Sequence, residues 1–122
     1  MSQKTRQEQD SLGKIKVANS NLWGAQTQRS IKNFRIGNDI MPIEIIHALA
    51  IIKMSCAKTN QKQKLLSPKI ASAIIDSAKQ VYLGKYDEHF PLSVWQTGSG
   101  TQTNMNVNEV IANIANKKIS KT

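Results

Sequence analysis

Cysteine is nearly missing from this chain of 122 residues. Cys56 is the only one, so neither an internal disulfide nor a cysteine-built metal cluster can form, and a reducing cytosol suits it. Aromatic residues make up 5% of the chain, which leaves Ile, Leu, Val, Ala and Met to fill a core, a composition suited to packed helices. No apolar run approaches the ~20 residues that a membrane span needs. The opening "MSQKTRQEQDSLG" has no apolar stretch of the kind a secretory signal carries. Acidic residues are also scarce, 8 against 17 Lys and Arg, for a formal net charge of +9. That surplus raises the question of nucleic acid. The basic residues are scattered, however, with no run of five and no interleaved aromatics on which bases would stack. The expectation is therefore a cytoplasmic protein with no nucleic-acid and no membrane partner, whose positive field favours small anions.

What is present organises into helices. The length suits one domain or part of one, able to bury roughly two-thirds of its unfolded surface. Residues 1–10 read as a mobile polar leader. The stretch from Asp10 to Pro42 reads as irregular, with a short strand pair around Gly13–Val17, Trp23 as an apolar anchor, and Ile31, Phe34 and Ile36 as core contacts. A first helix is predicted over 42–60, with Pro42 in its first turn, Ile45, Leu49, Ile52 and Cys56 as its stripe and Ile46, Ala50 and Ala57 broadening it, so that most of its circumference is expected to be buried. A second follows "SPK": Ser67 caps, Pro68 opens, Ile70, Ala71, Ile74, Ile75, Ala78, Val81 and Tyr82 keep a 3.6 period, and Gly84 closes. A third starts between Thr101 and Asn106 and runs to about Lys118. Val107, Val110, Ile111, Ile114 and Ala115 form its apolar face, with Asn106, Glu109, Asn113 and Asn116 opposite. His47 reads as a packed or interface histidine, and His89, in "YDEHF", as part of a solvated loop.

The densest polar cluster is "GSGTQTN", Gly98–Asn104. It is no P-loop, since it has no lysine, and no dinucleotide fingerprint, since Thr103 stands where the third glycine belongs. Nor is it a nucleophile elbow, because glycines flank Ser99 directly on both sides. Two readings remain. Gly98 and Gly100 allow close backbone approach, Ser99 and Thr101 offer hydroxyls, Asn104 and Asn106 offer amides, and the run leads into a helix N-terminus, which favours an anion such as a carboxylate. An ordinary turn with a capping Ser or Thr accounts for one or two of these residues and leaves the density of amides unexplained.

Three segments, "LWGAQTQRSIKNFRIG", "MPIEIIHALAIIKMSCAKTN" and "FPLSVWQTGSGTQTNMNVNEVIANIA", resemble the N-terminal part of the class II fumarases, within the fumarase/aspartase superfamily. The resemblance runs from about Ser11 to Asn116. Aspartases are the nearest rivals. They typically read G-A-G-T-S-x-N-M-N, and here Ser99 stands in place of the alanine; "WGAQTQRS" stands where they carry a "YGVHT"-like run. The resemblance implies a mainly α fold with three main helices after a long irregular N-terminal segment. It also implies that residues 11–122 form the N-terminal (lyase 1) domain, truncated before the family's central helical bundle.

By the same resemblance the activity is cofactor-free, reversible hydration of fumarate to (S)-malate in the tricarboxylic acid cycle. The full-length enzyme is a homotetramer whose sites draw on several subunits. Ser99, Gly100 and Thr101 match substrate-contacting positions, and the neighbouring Asn104 and Asn106 buttress them. The family's catalytic histidine and its G-S-S-x-M-P-x-K-x-N-P loop match nothing before Thr122, so no catalytic residue and no metal ligand is expected in this chain, which reads as a fragment inactive alone. An aspartase-like ammonia-lyase and a non-catalytic anion-binding module are the alternatives.

Overall fold

The computed structural model describes residues 4–120. These fold as two units, one of residues 4–41 with 88–110 and the other of residues 42–87 with 111–120.

The first unit begins with an antiparallel hairpin of β1 (Thr5–Asp10) and β2 (Gly13–Ala18), in register Asp10↔Gly13 to Thr5↔Ala18. The sequence points to a strand pair within Gly13–Val17. The structure instead pairs that strand with Thr5–Asp10, so these residues of the expected leader form a strand. A polar strand is held here by hydrogen bonds rather than by apolar burial. Arg6 pairs with Glu8 at 2.6 Å and donates to the carbonyls of Ala18 (3.0 Å), Asn21 (2.8 Å) and Trp23 (2.7 Å). At the turn the Asp10 carboxylate accepts the Leu12 N–H at 2.9 Å, and Gly13 takes φ +105°.

A helix not foreseen in the sequence follows, α1 (Ala25–Asn33). Its buried residues are Ala25, Thr27 and Ser30, small and mostly polar, so no stripe of large apolar side chains marks the helix in the sequence. Trp23 is buried, as expected of an anchor, whereas Ile36 is 54% exposed and is no core contact. Beyond it residues 39–41 pair with residues 92–94, through Met41 N–H to Leu92 O (2.9 Å) and Val94 N–H to Asp39 O (3.0 Å). Val17, Leu22, Phe90, Leu92, Val107 and Val110 are buried in this unit.

The second unit packs α2 (Ile43–Lys62) against α3 (Pro68–Tyr82). The end signals of α3 act as expected: the Ser67 hydroxyl accepts the Ile70 N–H at 3.3 Å, Pro68 opens the helix, and Gly84 follows it at φ +76°. On α2 the residues expected to broaden the apolar stripe are the buried ones, and the stripe itself is not. Ile46, Ala50 and Ala57 are buried, while Ile45 (44%), Ile52 (53%) and Cys56 are exposed. Both stripes are apolar, and the one with short side chains is the one packed. Alanines seven residues apart recur on α3 as Ala71 and Ala78, both fully buried, and short side chains let helix backbones approach closely. His47 bonds Asp87 at 2.9 Å and meets the Tyr82 ring edge-on, a packed histidine.

Helix α4 (Thr101–Ile119) contributes its first half to one unit and its second half to the other. Its start and end match the expected bounds, as does its apolar face. Asn106, expected opposite that face, is instead buried at 1% exposure. Among the described residues no helix is long and apolar enough to cross a membrane.

Candidate functional site

The run Thr97–Gly100 forms the loop that enters α4. Gly98 and Gly100 take φ +74° and +75°, a region that side chains with a Cβ rarely adopt. The resulting turn gathers hydroxyls. Thr97 and Ser99 lie 3.3 Å apart, Ser99 donates to Thr101 Oγ1 at 3.1 Å, and Thr97 donates to Gln102 Oε1 at 2.6 Å. The Ser99 hydroxyl also accepts the Thr101 N–H at 3.4 Å, at the helix start. Ser99, Gly100 and Thr101 are all exposed, so three of the five sequence-selected residues come together on an accessible surface. No charged residue occurs between His89 and Glu109. The loop therefore offers uncharged donors and a helix N-terminus, and no group that exchanges a proton near neutral pH.

The other two residues diverge. Asn104 is half-buried, with its N–H on Gly100 O at 3.0 Å. Asn106 is buried and donates to the His89 carbonyl at 3.0 Å. It belongs to a ladder of polar groups at i, i+3 and i+6 along α4. Thr103 accepts from Gln96 Nε2 at 2.9 Å, Asn106 reaches His89, and Glu109 reaches the start of α1. Two of the five polar side chains of Thr101–Asn106, those of Thr103 and Asn106, thus fasten the helix inside its unit.

Sequence reasoning missed two residues of that framework. His89 is buried rather than solvated. Its Nδ1 accepts the Leu22 N–H at 3.2 Å, so that nitrogen carries no proton, and its ring meets Trp23 edge-on. Glu109, expected on the solvent face, caps α1: its carboxylate accepts from the N–H groups of Gly24, Gln26 (2.9 Å) and Thr27 (3.3 Å). The available signal was a helix start at Gly24–Ala25 with neither a capping side chain nor an acidic residue of its own.

A cleft of about 270 Å³ borders Thr101 and Gln102, walled by Asp10, Leu12, Gln26 and Arg29. The Arg29 guanidinium is committed there, to both Asp10 oxygens (2.9 and 3.1 Å) and to Gly13 O (3.0 Å). The hydrogen bond from Arg29 holds the Asp10 carboxyl below the usual carboxylate range, against the opposing pull of desolvation. Among the described residues no cluster of three or more His, Cys, Asp or Glu is placed to hold a metal ion.

A family model described as lyase matches residues 13–122. The chain belongs to that lyase family. Its sequence is 59% identical over 113 residues to a class II fumarate hydratase of Bradyrhizobium diazoefficiens, covering 93% of this chain and 24% of the relative. Identity to a class II fumarate hydratase of Bacillus cereus is 60% over 112 residues, covering 92% and 24%. The structure superposes on a recombinant class II fumarase from Schistosoma mansoni with a TM-score of 0.95 at 47% identity, covering 98% of this chain and 25% of that one. The likeness read from the motifs is thus met in both sequence and fold. This chain spans about a quarter of the length of these relatives.

Proposed function

We propose that this lyase chain is the N-terminal domain, residues 11–122, of a fumarate hydratase that interconverts fumarate and (S)-malate, and that Ser99, Gly100 and Thr101 contact the dicarboxylate. The observation that carries the reading is the exposed trio of hydroxyls at the N-terminus of α4, in a stretch without a single charge. Hydration of a double bond conjugated to a carboxylate builds negative charge on that carboxylate, and preorganised donors beside a helix N-terminus stabilise it. Asn104 supports the loop through its N–H on Gly100, and Asn106 holds the helix behind it. The groups that add and remove protons come from the part of the enzyme beyond this segment, from the central helical bundle of a homotetramer that works in the cytoplasm in the tricarboxylic acid cycle.

A chimera tests this. This chain replaces the matching segment of the Bradyrhizobium relative, and malate-to-fumarate conversion is followed by absorbance. The chimera is active, and Ser99→Ala or Thr101→Val lowers kcat by roughly 10²-fold, the scale of losing one aimed donor. The 122-residue chain alone converts neither compound. A folded chimera that ignores both substitutions, or turnover by the isolated chain, would overturn the assignment.

A further inference from the structure

Glu109 carries the first charge that follows the candidate loop, and all of its described hydrogen bonds go to the N-terminus of α1. Gly24 makes room for it. A Cβ at that position would lie 2.9 Å from Glu109 Cδ and 3.0 Å from Oε2. Glycine is not required there by the backbone, which is extended at φ −111°. The demand is for space around the carboxylate. Three N–H donors and the positive end of a helix dipole make this the strongest of the three rungs that fasten the first half of α4, since the Thr103 and Asn106 rungs are neutral.

A helix this short moves as a rod. Thr101 lies eight residues before Glu109, about 12 Å along the axis, and each residue turns the helix by about 100°. A small axial rotation or slide of α4 therefore re-aims the Thr101 hydroxyl and the Ser99 hydroxyl bonded to it. We propose that Glu109 is a positioning residue: by locking α4 onto the start of α1, it sets where the Ser99–Thr101 hydroxyls point. The inference rests on those hydroxyls being the substrate contacts.

Amide NMR spectra of the 122-residue chain carrying Glu109→Gln or Gly24→Ala test it. The first weakens the carboxylate. The second leaves it intact and pushes it aside, so it decides the matter alone if the first fails to fold. In each, the amides of Gly24, Gln26 and Thr27 exchange roughly tenfold faster or more, and the Ser99, Gly100 and Thr101 resonances move. Faster exchange at 24–27 with unmoved resonances at 99–101 overturns the proposal. In the chimera, Gly24→Ala lowers kcat/KM by roughly tenfold. Indifference to Ser99→Ala there removes the substrate reading, whereas sensitivity to Ser99→Ala with indifference to Gly24→Ala removes the positioning role.

Discussion

Replacing Asn106 by aspartate changes one NH2 group into an oxygen and leaves the volume unchanged. In the native protein that NH2 donates to the His89 carbonyl at 3.0 Å from a side chain of 1% exposure. In the Asn106→Asp variant an ionised carboxylate has no proton to donate. It faces an acceptor with an acceptor, and replacing that buried hydrogen bond by this repulsion costs about 1–3 kcal/mol before the cost of burying the charge is added. The variant escapes by staying protonated, because a neutral carboxyl can donate to the same carbonyl. Keeping it neutral at pH 7, about three pH units above its ordinary value near 3.9, costs about 4 kcal/mol, which caps the loss. Its folded pKa is thus raised above the unfolded one. The contribution is present in full below the unfolded value and is lost as pH rises through the folded value. Urea unfolding followed by circular dichroism, on both proteins at pH 4 and pH 7, measures the difference. The expected destabilisation is about 3–4 kcal/mol at pH 7 and under about 2 at pH 4. Other acidic groups are common to both proteins and cancel. An equal loss at both pH values would refute the assigned hydrogen bond.

Three further outcomes follow from geometry already described. The Asp10 carboxyl is held below its usual range by Arg29, so its contribution to stability is present at neutral pH and disappears as pH falls through the folded value; Asp10→Asn removes that part of the acid dependence, read by comparing the acid limbs of the two unfolding curves. Ile46→Ala, at a side chain of 1% exposure in the packed stripe of α2, lowers stability by about 2–5 kcal/mol, whereas Ile52→Ala, at 53% exposure, costs under about 1 in the same urea titration. Gly98→Ala meets no atom within 4 Å, so its cost of about 1–2 kcal/mol comes from the backbone at φ +74° alone; an unchanged midpoint would show that the loop adopts another conformation in solution.

Where the sequence was legible, the reason is local. Ser67, Pro68 and Gly84 bound α3 because capping and termination act within one turn, and the apolar face of α4 is legible because it keeps its period. Where it was not, the partner is distant or the burial is polar. Strand β1, "TRQEQD", holds no apolar residue, and it is held by its ladder to β2 and by one arginine bridging three carbonyls. Helix α1 buries alanine, threonine and serine and borrows its cap from another helix. On α2 the whole apolar arc reads as buried, and period alone does not say that only its alanine side is where the backbones meet. The same limit divides the candidate site. The motif singles out Ser99 and Thr101, whose hydroxyls meet in the loop, but not Thr97 beside them, while Asn106 falls in the same motif although its amide is turned to a backbone carbonyl.

The borrowed cap of α1 also imposes an order of events. The Arg6 contacts join residues 12–17 apart, so the hairpin and the segment after it can settle early. The carboxylate that closes the start of α1 lies 85 residues downstream of Gly24. At about 5–20 residues per second, a ribosome needs about 4 to 17 seconds to deliver it. During that interval nascent α1 has its first amides open to water, and no helix of nine residues is stable alone. This unit is therefore one that closes last on its own beginning, with long-range closure rather than local helix formation setting its folding rate.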